Sequence, residues 1–335
     1  MRLLIVTQAV DSNDPVLGFF TRWIEEFAKR VESVEVICLK LGEFNSPKNV
    51  RVHSLGKERG ASRMTYVFNF FRYIWCLRRD YDTVFVHMNP EYVILGGPLW
   101  RLWGKRVALW YNHPHGGARL FLAALFAGAI FYTSPSAASA RFARARQMPV
   151  GIDTVLFAPQ PVARARNALY MQGRIMRSKR VDIALAALRL LRERMPATLT
   201  LVGPEDPAYA RELRADFSDL ITAGAVVFKG PVQNERTPAL YSAHGASVNL
   251  AAPGHFDKSV LEAMACGTPV VACSDVVKEE WRVPENDPQA LAAALERLIT
   301  LPESAYHMLQ EGSRAHVVRE HGLARLGEQL THVLQ

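Results

Sequence analysis

One carboxylate, Glu262, stands inside a short and otherwise apolar segment with the sequence VLEAMACGTPVV. A carboxylate repels a diphosphate, but it can accept hydrogen bonds from both hydroxyls of a ribose, as an acid does in dinucleotide-binding folds. The alternative is a glutamate on a solvated helix surface. The apolar neighbours of Glu262 disfavour it, because a buried carboxylate needs a partner. The segment predicts a helix that carries a ribose-binding acid and ends before a buried strand.

The residues just before this helix, GHFDKS at positions 254–259, would present backbone N–H groups at a helix N-terminus, where anions bind. Ser259 can cap the helix or bind a phosphate. Asp257 can equally be only a negative charge that favours a helix start. The loop therefore indicates a ligand with phosphate groups.

Two cations follow another predicted strand. Gly173-Arg174 comes directly after that strand, and Lys179 lies five residues beyond Arg174. A guanidinium fork and an ammonium near a helix start suit a diphosphate. The alternative is a set of solvated cations, because the same loop holds Arg177 and Arg180.

Two histidines, His113 and His115, follow a further predicted strand in the sequence LWYNHPHGG. Strands of an open parallel sheet end at the crevice where ligands bind, which favours a role in that crevice. A metal site is an alternative, although no acidic or cysteine partner follows in the sequence. A purely structural loop is the third interpretation.

Strand and helix patterns alternate along the whole chain, which positions these residues at strand ends. The alternation predicts an α/β fold with doubly wound parallel sheets. The aperiodic segment GIDTVLFAPQPVARA interrupts it and predicts a linker between two Rossmann-like domains that face each other across a ligand cleft. We also predict a basic helix at Ala137 to Arg146 and final helices at Pro288 to Thr300 and Gly312 to Leu334.

The composition excludes several classes of protein. The chain has 335 residues, 49% hydrophobic and 21% charged, which suits two globular domains and not a disordered chain. Its four cysteines form no Cys-x-x-Cys pair and predict buried thiols in a reducing compartment. The start MRLLIVTQAV predicts a strand, not a signal peptide, and the apolar run near Leu120 to Tyr132 is too short to span a bilayer. We expect a cytoplasmic protein.

The net charge of +8 is unevenly distributed. Residues 1–150 hold 20 Lys and Arg against 11 Asp and Glu, whereas residues 151–335 hold 20 against 21. The excess indicates either a solvated basic surface or attraction to phospholipid, a lipid-linked phosphate or nucleic acid. Nucleic acid is least supported, because the cations are dispersed. We interpret the aromatic residues that alternate with arginines from Phe68 to Arg79, and from Trp100 to Arg106, mainly as core, with an interfacial membrane contact as the alternative.

Five segments occur in this order along the chain: VGIDTVLFAP, GRIMRSK, LTLVGPE, VLEAMACGTPVV and PENDPQALAAAL. In the order and spacing of these segments, the chain resembles the retaining glycosyltransferases of family 4, the glycosyl transferases group 1, which have the GT-B fold. The resemblance covers essentially the whole chain and is strongest in residues 150–300. It implies residues 1–152 as an acceptor-binding domain, 153–166 as a linker and 167–312 as a domain for the nucleotide-sugar donor. Residues 313–335 would form a helix that packs back towards the N-terminal domain.

The resemblance also implies residue roles on the donor side. Arg174 and Lys179, with Gly173 beside them, would grip the diphosphate, and Glu262 would hold the ribose. The donor is a UDP- or GDP-sugar, and no cofactor or metal is expected, because cations and helix N-termini stabilise the leaving diphosphate. Further donor contacts are expected from Gly254, His255, Phe256, Lys258, Ser259 and Val260.

On the other side of the reaction, the resemblance places His113 near the reacting sugar, with His115 as the alternative. Gly18 and His115 are expected on the acceptor side. One position departs from the family. The family's first acid stands eight residues before the ribose-binding acid, and here that position is Gly254. We expect Asp257 to replace it as a catalytic residue with His113. An altered sugar preference and a weak or lost activity remain open.

The function implied by the resemblance is transfer of a hexose to a glycan or lipid-linked acceptor in the synthesis of a cell-surface polysaccharide, lipopolysaccharide or glycolipid. The basic N-terminal half would contact an anionic membrane peripherally, at the inner face of the plasma membrane. The alternatives are a non-catalytic GT-B binding subunit and another GT-B enzyme, such as a phosphorylase or an epimerase. No context for a pyridoxal-phosphate lysine, and no set of carboxylates at the early strand ends, supports those two enzymes.

Overall fold

The computed structural model describes residues 1–14, 16–251 and 258–335, which divide into two compact units. Unit 1 comprises Met1–Gly151 and Leu323–Gln335, and unit 2 comprises Ile152–Gly322. The described residues of each unit form a parallel sheet with helices, as the alternation of strand and helix patterns predicts. The α/β class with two parallel sheets in two units is thus confirmed. The chain passes from unit 1 to unit 2 after Gly151. The sequence analysis places the start of the linker at residue 153.

The sheet of unit 1 has the strand order β3-β2-β1-β4-β5-β6-β7. Its strands are β1 (Arg2–Val10), β2 (Ser33–Leu41), β3 (Val50–Ser54), β4 (Thr83–His87), β5 (Arg106–Trp110), β6 (Ala129–Tyr132) and β7 (Ala145–Gln147). The connecting α-helices are α1 (Phe19–Ala28), α2 (Arg63–Cys76), α3 (Pro90–Leu102) and α4 (Ala118–Phe126).

The sheet of unit 2 has the order β10-β9-β8-β11-β12. Its strands are β8 (Ala165–Gln172), β9 (Thr198–Val202), β10 (Val226–Gly230), β11 (His244–Asn249) and β12 (Val270–Ala272). The helices are α5 (Val181–Arg192), α6 (Pro207–Asp216), α7 (Ser218–Thr222), α8 (Thr237–Ala243), α9 (Lys258–Ala265), α10 (Pro288–Ile299) and α11 (Glu303–His321). The final helix, α12 (Leu323–Leu334), belongs to unit 1.

The two faces of the unit 1 sheet are covered by different helices. On one face α1 and α12 bury Trp23, Phe27 and Leu326. On the other face α2, α3 and α4 contribute Phe70 and Trp100, among others, to a second buried cluster. Apolar area removed from water on both faces stabilises this layered arrangement. Within the described residues, no helix is long and apolar enough to cross a membrane.

Two predicted helices are wrong. The segment Ala137 to Arg146 contains only a short 3₁₀ turn, Ala138–Arg141, before β7 pairs with β6 at the sheet edge. The backbone N–H and C=O groups of β6 need partners, and pairing with β7 satisfies them. The predicted helix from Gly312 to Leu334 is broken into α11 and α12 because Gly322 is extended, with ψ of 147°. Ile152 donates a backbone hydrogen bond to His321 at that break.

Candidate functional site

The ends of β8 and β9 lie against each other, and two glycines make this possible. Gly173 and Gly203 both have φ of +143°, a conformation that side chains rarely adopt. The Gly173 N–H donates to the Val202 carbonyl at 2.9 Å, and the Ile175 N–H donates to Pro204 at 2.9 Å. A Cβ added to Gly203 would lie 2.0 Å from the Gly173 oxygen. The loop that begins at Gly173 is therefore fixed at its start by the neighbouring strand end.

The cations of this loop have different environments. Arg177 forms an ion pair with Glu212, and Arg180 lies 3.7 Å from Glu285. Arg174 is exposed and makes no ion pair with any residue of 1–14, 16–251 or 258–335. Because acidic neighbours already pair with Arg177 and Arg180, Arg174 is the guanidinium of this loop that is available to bind an external anion.

Lys179 folds back on the start of the loop. A Cβ added to Gly173 would stand 3.4 Å from Lys179 Cε and 3.9 Å from its Nζ. Lys179 and Gly173 thus lie close together, next to Arg174 in the chain, as the spacing of the motif requires. Gly173, Arg174 and Lys179 also line one small cavity with Val181 at the start of α5. This is a local arrangement that can hold an anionic group at a strand end.

Glu262 lies on α9, one turn after Lys258 at the start of that helix. Burial raises the pKa of the Tyr170 phenol above its usual range, and the charge of Glu262 raises it further. Burial also raises the pKa of Cys266 to about 12, again with a contribution from Glu262. The Glu262 side chain is half-buried, and its charge acts on Tyr170 in β8, the strand that leads into the Gly173 loop.

The Lys258 ammonium is held in an unusual environment at the N-terminus of α9. Burial lowers the pKa of Lys258 below its usual value, while the Glu262 carboxylate opposes that shift. A cation at a helix N-terminus also opposes the helix dipole, and the Glu262 carboxylate one turn further along α9 offsets part of that cost. The start of α9 thus holds a cation and a carboxylate one turn apart.

Asn249 is a residue that the sequence reasoning missed. It is buried at the end of β11, where its Nδ2 donates to Ser259 Oγ at 3.0 Å and its Oδ1 accepts from the Ala251 N–H at 3.0 Å. It thereby ties the strand end to the first turn of α9. An asparagine directly after the short buried run Ala-Ser-Val, in ASVNLAAP, is the signal that could have identified it. Val260, by contrast, is buried in the core of unit 2.

Four predicted site residues lie outside the described residues: Gly254, His255, Phe256 and Asp257. The expected relocation of an acid from position 254 to Asp257 therefore stays a prediction.

In unit 1, His113 and His115 are exposed on the loop after β5. The His115 N–H donates to His113 Nδ1 at 3.1 Å, and the Ala138 N–H donates to the His113 carbonyl at 3.0 Å. The Asn112 side chain accepts from the N–H groups of Thr133 and Ser134 at the end of β6. The loop backbone is thus held in place while the two imidazoles face outward. No cluster of three or more His, Cys, Asp or Glu that could hold a metal occurs in the described part of the chain.

Gly18 occupies a tight turn before α1. A Cβ there would lie 2.7 Å from the Asp14 oxygen and 2.8 Å from the Ser12 oxygen, so only glycine fits without movement of the loop. A second missed residue, His87, is buried at the end of β4 and stacks on Phe20 with ring centroids 4.1 Å apart. In unit 1, His87 and the loop of His113 thus follow strand ends, whereas Gly18 stands directly before α1.

Comparison with known proteins points to one family. Residues 166–300 match the family model described as glycosyl transferases group 1. Over 203 residues the chain is 32% identical to a D-inositol 3-phosphate glycosyltransferase of Acidothermus cellulolyticus, covering 53% of this chain and 45% of the relative. Over 229 residues it is 31% identical to a GDP-mannose-dependent alpha-(1-6)-phosphatidylinositol monomannoside mannosyltransferase of Mycolicibacterium smegmatis, covering 58% of each. The chain spans about half the length of these relatives.

Solved structures share the whole fold at low sequence identity. Anabaena Alr3699/HepE in complex with UDP has a TM-score of 0.78 at 17% identity, with 100% of this chain and 99% of that chain covered. WaaG, a glycosyltransferase involved in lipopolysaccharide biosynthesis, has a TM-score of 0.65 at 16% identity, with 99% of both chains covered. These likenesses establish the fold along the full chain.

Proposed function

Through residues 166–300 this chain belongs to the family of glycosyl transferases group 1, and on that premise we propose that it is a retaining glycosyltransferase. The donor is a UDP- or GDP-sugar, and the acceptor is a hydroxyl of a glycan or lipid-linked molecule in the synthesis of a cell-surface polysaccharide, lipopolysaccharide or glycolipid. One observation carries the proposal. Within the matched residues, the exposed Arg174 makes no ion pair with the described residues and is next to the glycine against which Lys179 folds.

In this proposal the Gly173 loop binds the diphosphate of the donor. Arg174 offers a planar fork of N–H donors to phosphate oxygens, and Lys179 adds a compact positive charge. The N-terminus of α9 contributes backbone N–H groups and the positive end of its dipole, with Lys258 beside them. These groups stabilise the negative charge that develops on the leaving diphosphate, so the scheme requires no metal ion and no cofactor.

Glu262 accepts the two hydroxyl hydrogen bonds of the donor ribose in the same scheme. The Glu262 charge raises the pKa of Tyr170, which places this carboxylate close to β8, the strand that leads into the Gly173 loop. This proximity supports the proposed role. Ser259 is held by Asn249, which orients the first turn of α9. The donor contacts of Gly254, His255 and Phe256 remain part of the proposal, whereas Val260, buried in the core of unit 2, is left out of it.

The transfer step proceeds by front-face attack. The acceptor hydroxyl oxygen forms a bond to the anomeric carbon of the sugar on the face that the diphosphate leaves. The bond between that carbon and the phosphate oxygen breaks, and the departing phosphate accepts the hydroxyl proton. The role proposed for His113 is at the reacting sugar, and the role proposed for His115 and Gly18 is to bind the acceptor. We place the reaction at the cytoplasmic face of the plasma membrane, where a lipid-linked acceptor would be reached.

The test is transfer or donor hydrolysis with a panel of UDP- and GDP-sugars, with the anomeric configuration of the product read by NMR. We expect turnover with one donor class and retention at the anomeric carbon. An inverted product would contradict the retaining mechanism. No turnover and no binding with any donor would contradict the enzyme function as a whole.

A second candidate function is a non-catalytic GT-B binding subunit, and Gly254 favours it because a glycine stands where the family has an acid. Two substitutions separate the candidates. If Asp257 has taken over the missing role, Asp257→Ala reduces turnover about 10²-fold or more, and adding Gly254→Glu restores part of it. Full turnover of the Asp257→Ala variant would remove the relocation from the scheme.

A further inference from the structure

The Gly173 loop, residues 173–180, lies against the segment that follows β9. The Ile175 N–H donates to the Pro204 carbonyl, and the Asp206 N–H donates to the Ile175 carbonyl, both at 2.9 Å. The Ile175 side chain is buried. Asp206 also caps α6, because its side chain accepts from two backbone N–H groups of the first turn of that helix. The start of the loop is therefore fixed to the start of α6.

The end of the loop is bound to the same helix through Tyr209. This tyrosine is only 4% exposed, and its phenol makes two hydrogen bonds with Asp182 in the first turn of α5. The phenolic O–H donates to Asp182 Oδ1 at 2.7 Å, and the phenolic oxygen accepts from the Asp182 N–H at 3.1 Å. Burial raises the pKa of Tyr209, and the hydrogen bond to Asp182 raises it further, so the phenol stays protonated and remains a donor.

Helix α5 begins without a capping side chain of its own. Arg180 stands at the N-cap with φ of +52°, a left-handed conformation, and its side chain makes no capping hydrogen bond. The first N–H groups of a helix have no partner within the helix, and a short polar side chain at the N-cap normally accepts from one of them. Here Tyr209 supplies that acceptor from α6. It thereby fixes the point at which the Gly173 loop becomes α5.

The middle of the loop is also bound to α6. The Arg177 guanidinium lies 5.1 Å from the centroid of the Tyr209 ring and forms an ion pair with Glu212. Tyr209 and Glu212 are three residues apart, so they share one face of α6. Arg177 begins the single 3₁₀ turn Arg177–Lys179, which ends at Lys179. Contacts on both sides of Lys179 in the chain therefore converge on Tyr209.

We propose that Tyr209 is a positioning residue for donor binding: its hydrogen bonds to Asp182 and its contact with Arg177 hold Lys179 in place for the diphosphate. The inference rests on the proposed function, because that function assigns Lys179 to the diphosphate. A loop held in its binding conformation loses less conformational entropy when the anion binds. Phenylalanine would fill the same space as tyrosine, so the proposal concerns the hydroxyl group of Tyr209.

The first test compares Tyr209→Phe with the wild-type full chain by calorimetric titration, using whichever of UDP and GDP binds the wild type. We expect the affinity to fall about fivefold or more, because the nucleotide must then order the loop itself. The matched control is Tyr306→Phe, which removes a buried hydroxyl that donates to the Gly245 carbonyl at 2.7 Å in the same unit. Both variants should lower the melting temperature by about 2 to 4 °C, but Tyr306→Phe should keep wild-type affinity.

The second test asks whether Tyr209 acts through Lys179 and Asp182. Adding Tyr209→Phe to Lys179→Ala should cause no further loss of affinity, because the group that Tyr209 positions is already absent. Asp182→Asn and Asp182→Ala both remove the carboxylate charge, but only asparagine keeps an oxygen that accepts from the phenol. We expect the Asn variant to bind about fivefold more tightly than the Ala variant. Additive losses with Lys179→Ala, or equal affinities of the two Asp182 variants, would contradict the proposal.

Amide hydrogen exchange of the nucleotide-free chain tests the loop without a ligand. Residues 175–182 should exchange about tenfold faster in Tyr209→Phe than in wild type, and at the wild-type rate in Tyr306→Phe. Unchanged exchange in this segment, or wild-type nucleotide affinity of Tyr209→Phe, would overturn the positioning role and leave the proposed function standing. If the wild-type chain binds neither UDP nor GDP, the proposed function fails and this inference fails with it.

Discussion

At the scale of single residues, the candidate site depends on charges that the fold leaves uncompensated or holds at some cost. Arg174 is solvent-exposed while its neighbours Arg177 and Arg180 are paired with acids. Lys258 stands at a helix N-terminus, where burial lowers its pKa and the nearby Glu262 opposes that shift. Charged groups such as Arg174 and Lys258 contribute little to the free energy of folding. A ligand with two negative charges would interact favourably with both of them.

The first prediction concerns Glu262. Glu262→Gln keeps the size of the side chain but removes its charge, so it weakens the hydrogen bonds accepted from the ribose hydroxyls. We expect turnover to fall about 10²-fold, measured as transfer from the active donor. Glu311→Gln, on the exposed surface of α11, is the matched control and should retain wild-type turnover. Equal rates for the two variants would show that Glu262 has no role in donor use.

At the scale of secondary-structure elements, the site is assembled by strand ends that approach one another closely. The β8 loop can start beside the β9 end because Gly203 has no side chain, and the first turn of α9 is tied to β11 through Asn249. The strand–helix order and the Gly173 motif were accessible from sequence, since each follows from local pattern. Asn249 itself has a sequence signal, its place at the end of a buried run, but its hydrogen bond to Ser259 was not accessible, because it depends on how the strand end approaches α9.

A substitution at Gly203 tests this close approach. Gly203→Ala introduces a Cβ that would lie 2.0 Å from the Gly173 oxygen, at a φ of +143°. We expect the free energy of unfolding in urea to fall by about 2 kcal/mol or more, and donor affinity to fall with it, because the Gly173 loop must move. Gly224→Ala is the control: its φ of +65° is also positive, but nothing lies within 4 Å of the added atom. That variant should lose only about 1 kcal/mol and keep its donor affinity.

The break between α11 and α12 carries a pH-dependent contribution to stability. Burial, together with the nearby His316, lowers the pKa of His321 from 6.5 to about 4, while Glu320 opposes the shift. Between these two pH values the unfolded chain binds the proton and the folded chain does not, so stability falls as the pH falls from about 6.5 to 4. We expect His321→Gln to reduce that loss by about 2 kcal/mol in urea titrations at several pH values. His332→Gln, at an exposed position of α12, controls for the removal of one histidine, and identical pH profiles for wild type and His321→Gln would contradict the assignment.

At the scale of the whole molecule, the sequence predicted much of the fold. The alternating patterns predicted two parallel sheets, because each strand and helix carries its own periodicity. The sequence could not reveal which side of α2 faces the sheet, since that helix is apolar nearly all round. We had interpreted its aromatic residues mainly as core. Phe70 is indeed buried, but Phe68 and Trp75 are exposed.

The two wrong helices have a common cause at this larger scale. Residues Ala145–Gln147 pair with β6 at the open edge of the sheet, although their local propensity favours a helix. At Gly322 the chain must leave unit 2 for unit 1, so the periodic pattern is interrupted although both flanking segments are helical. Tertiary demands of this kind override local propensity and cannot be read from a window of sequence.

The most direct test of the central claim is calorimetric titration of the full chain with UDP and GDP, repeated for Lys179→Ala and for the exposed control Lys278→Ala. The account predicts that one of the two nucleotides binds with one site per chain. It also predicts that Lys179→Ala weakens binding about tenfold or more, by loss of a charge-assisted phosphate contact, while Lys278→Ala binds as wild type. If neither nucleotide binds, or if Lys179→Ala binds as tightly as wild type, the Gly173 loop does not hold a nucleoside diphosphate and the account fails.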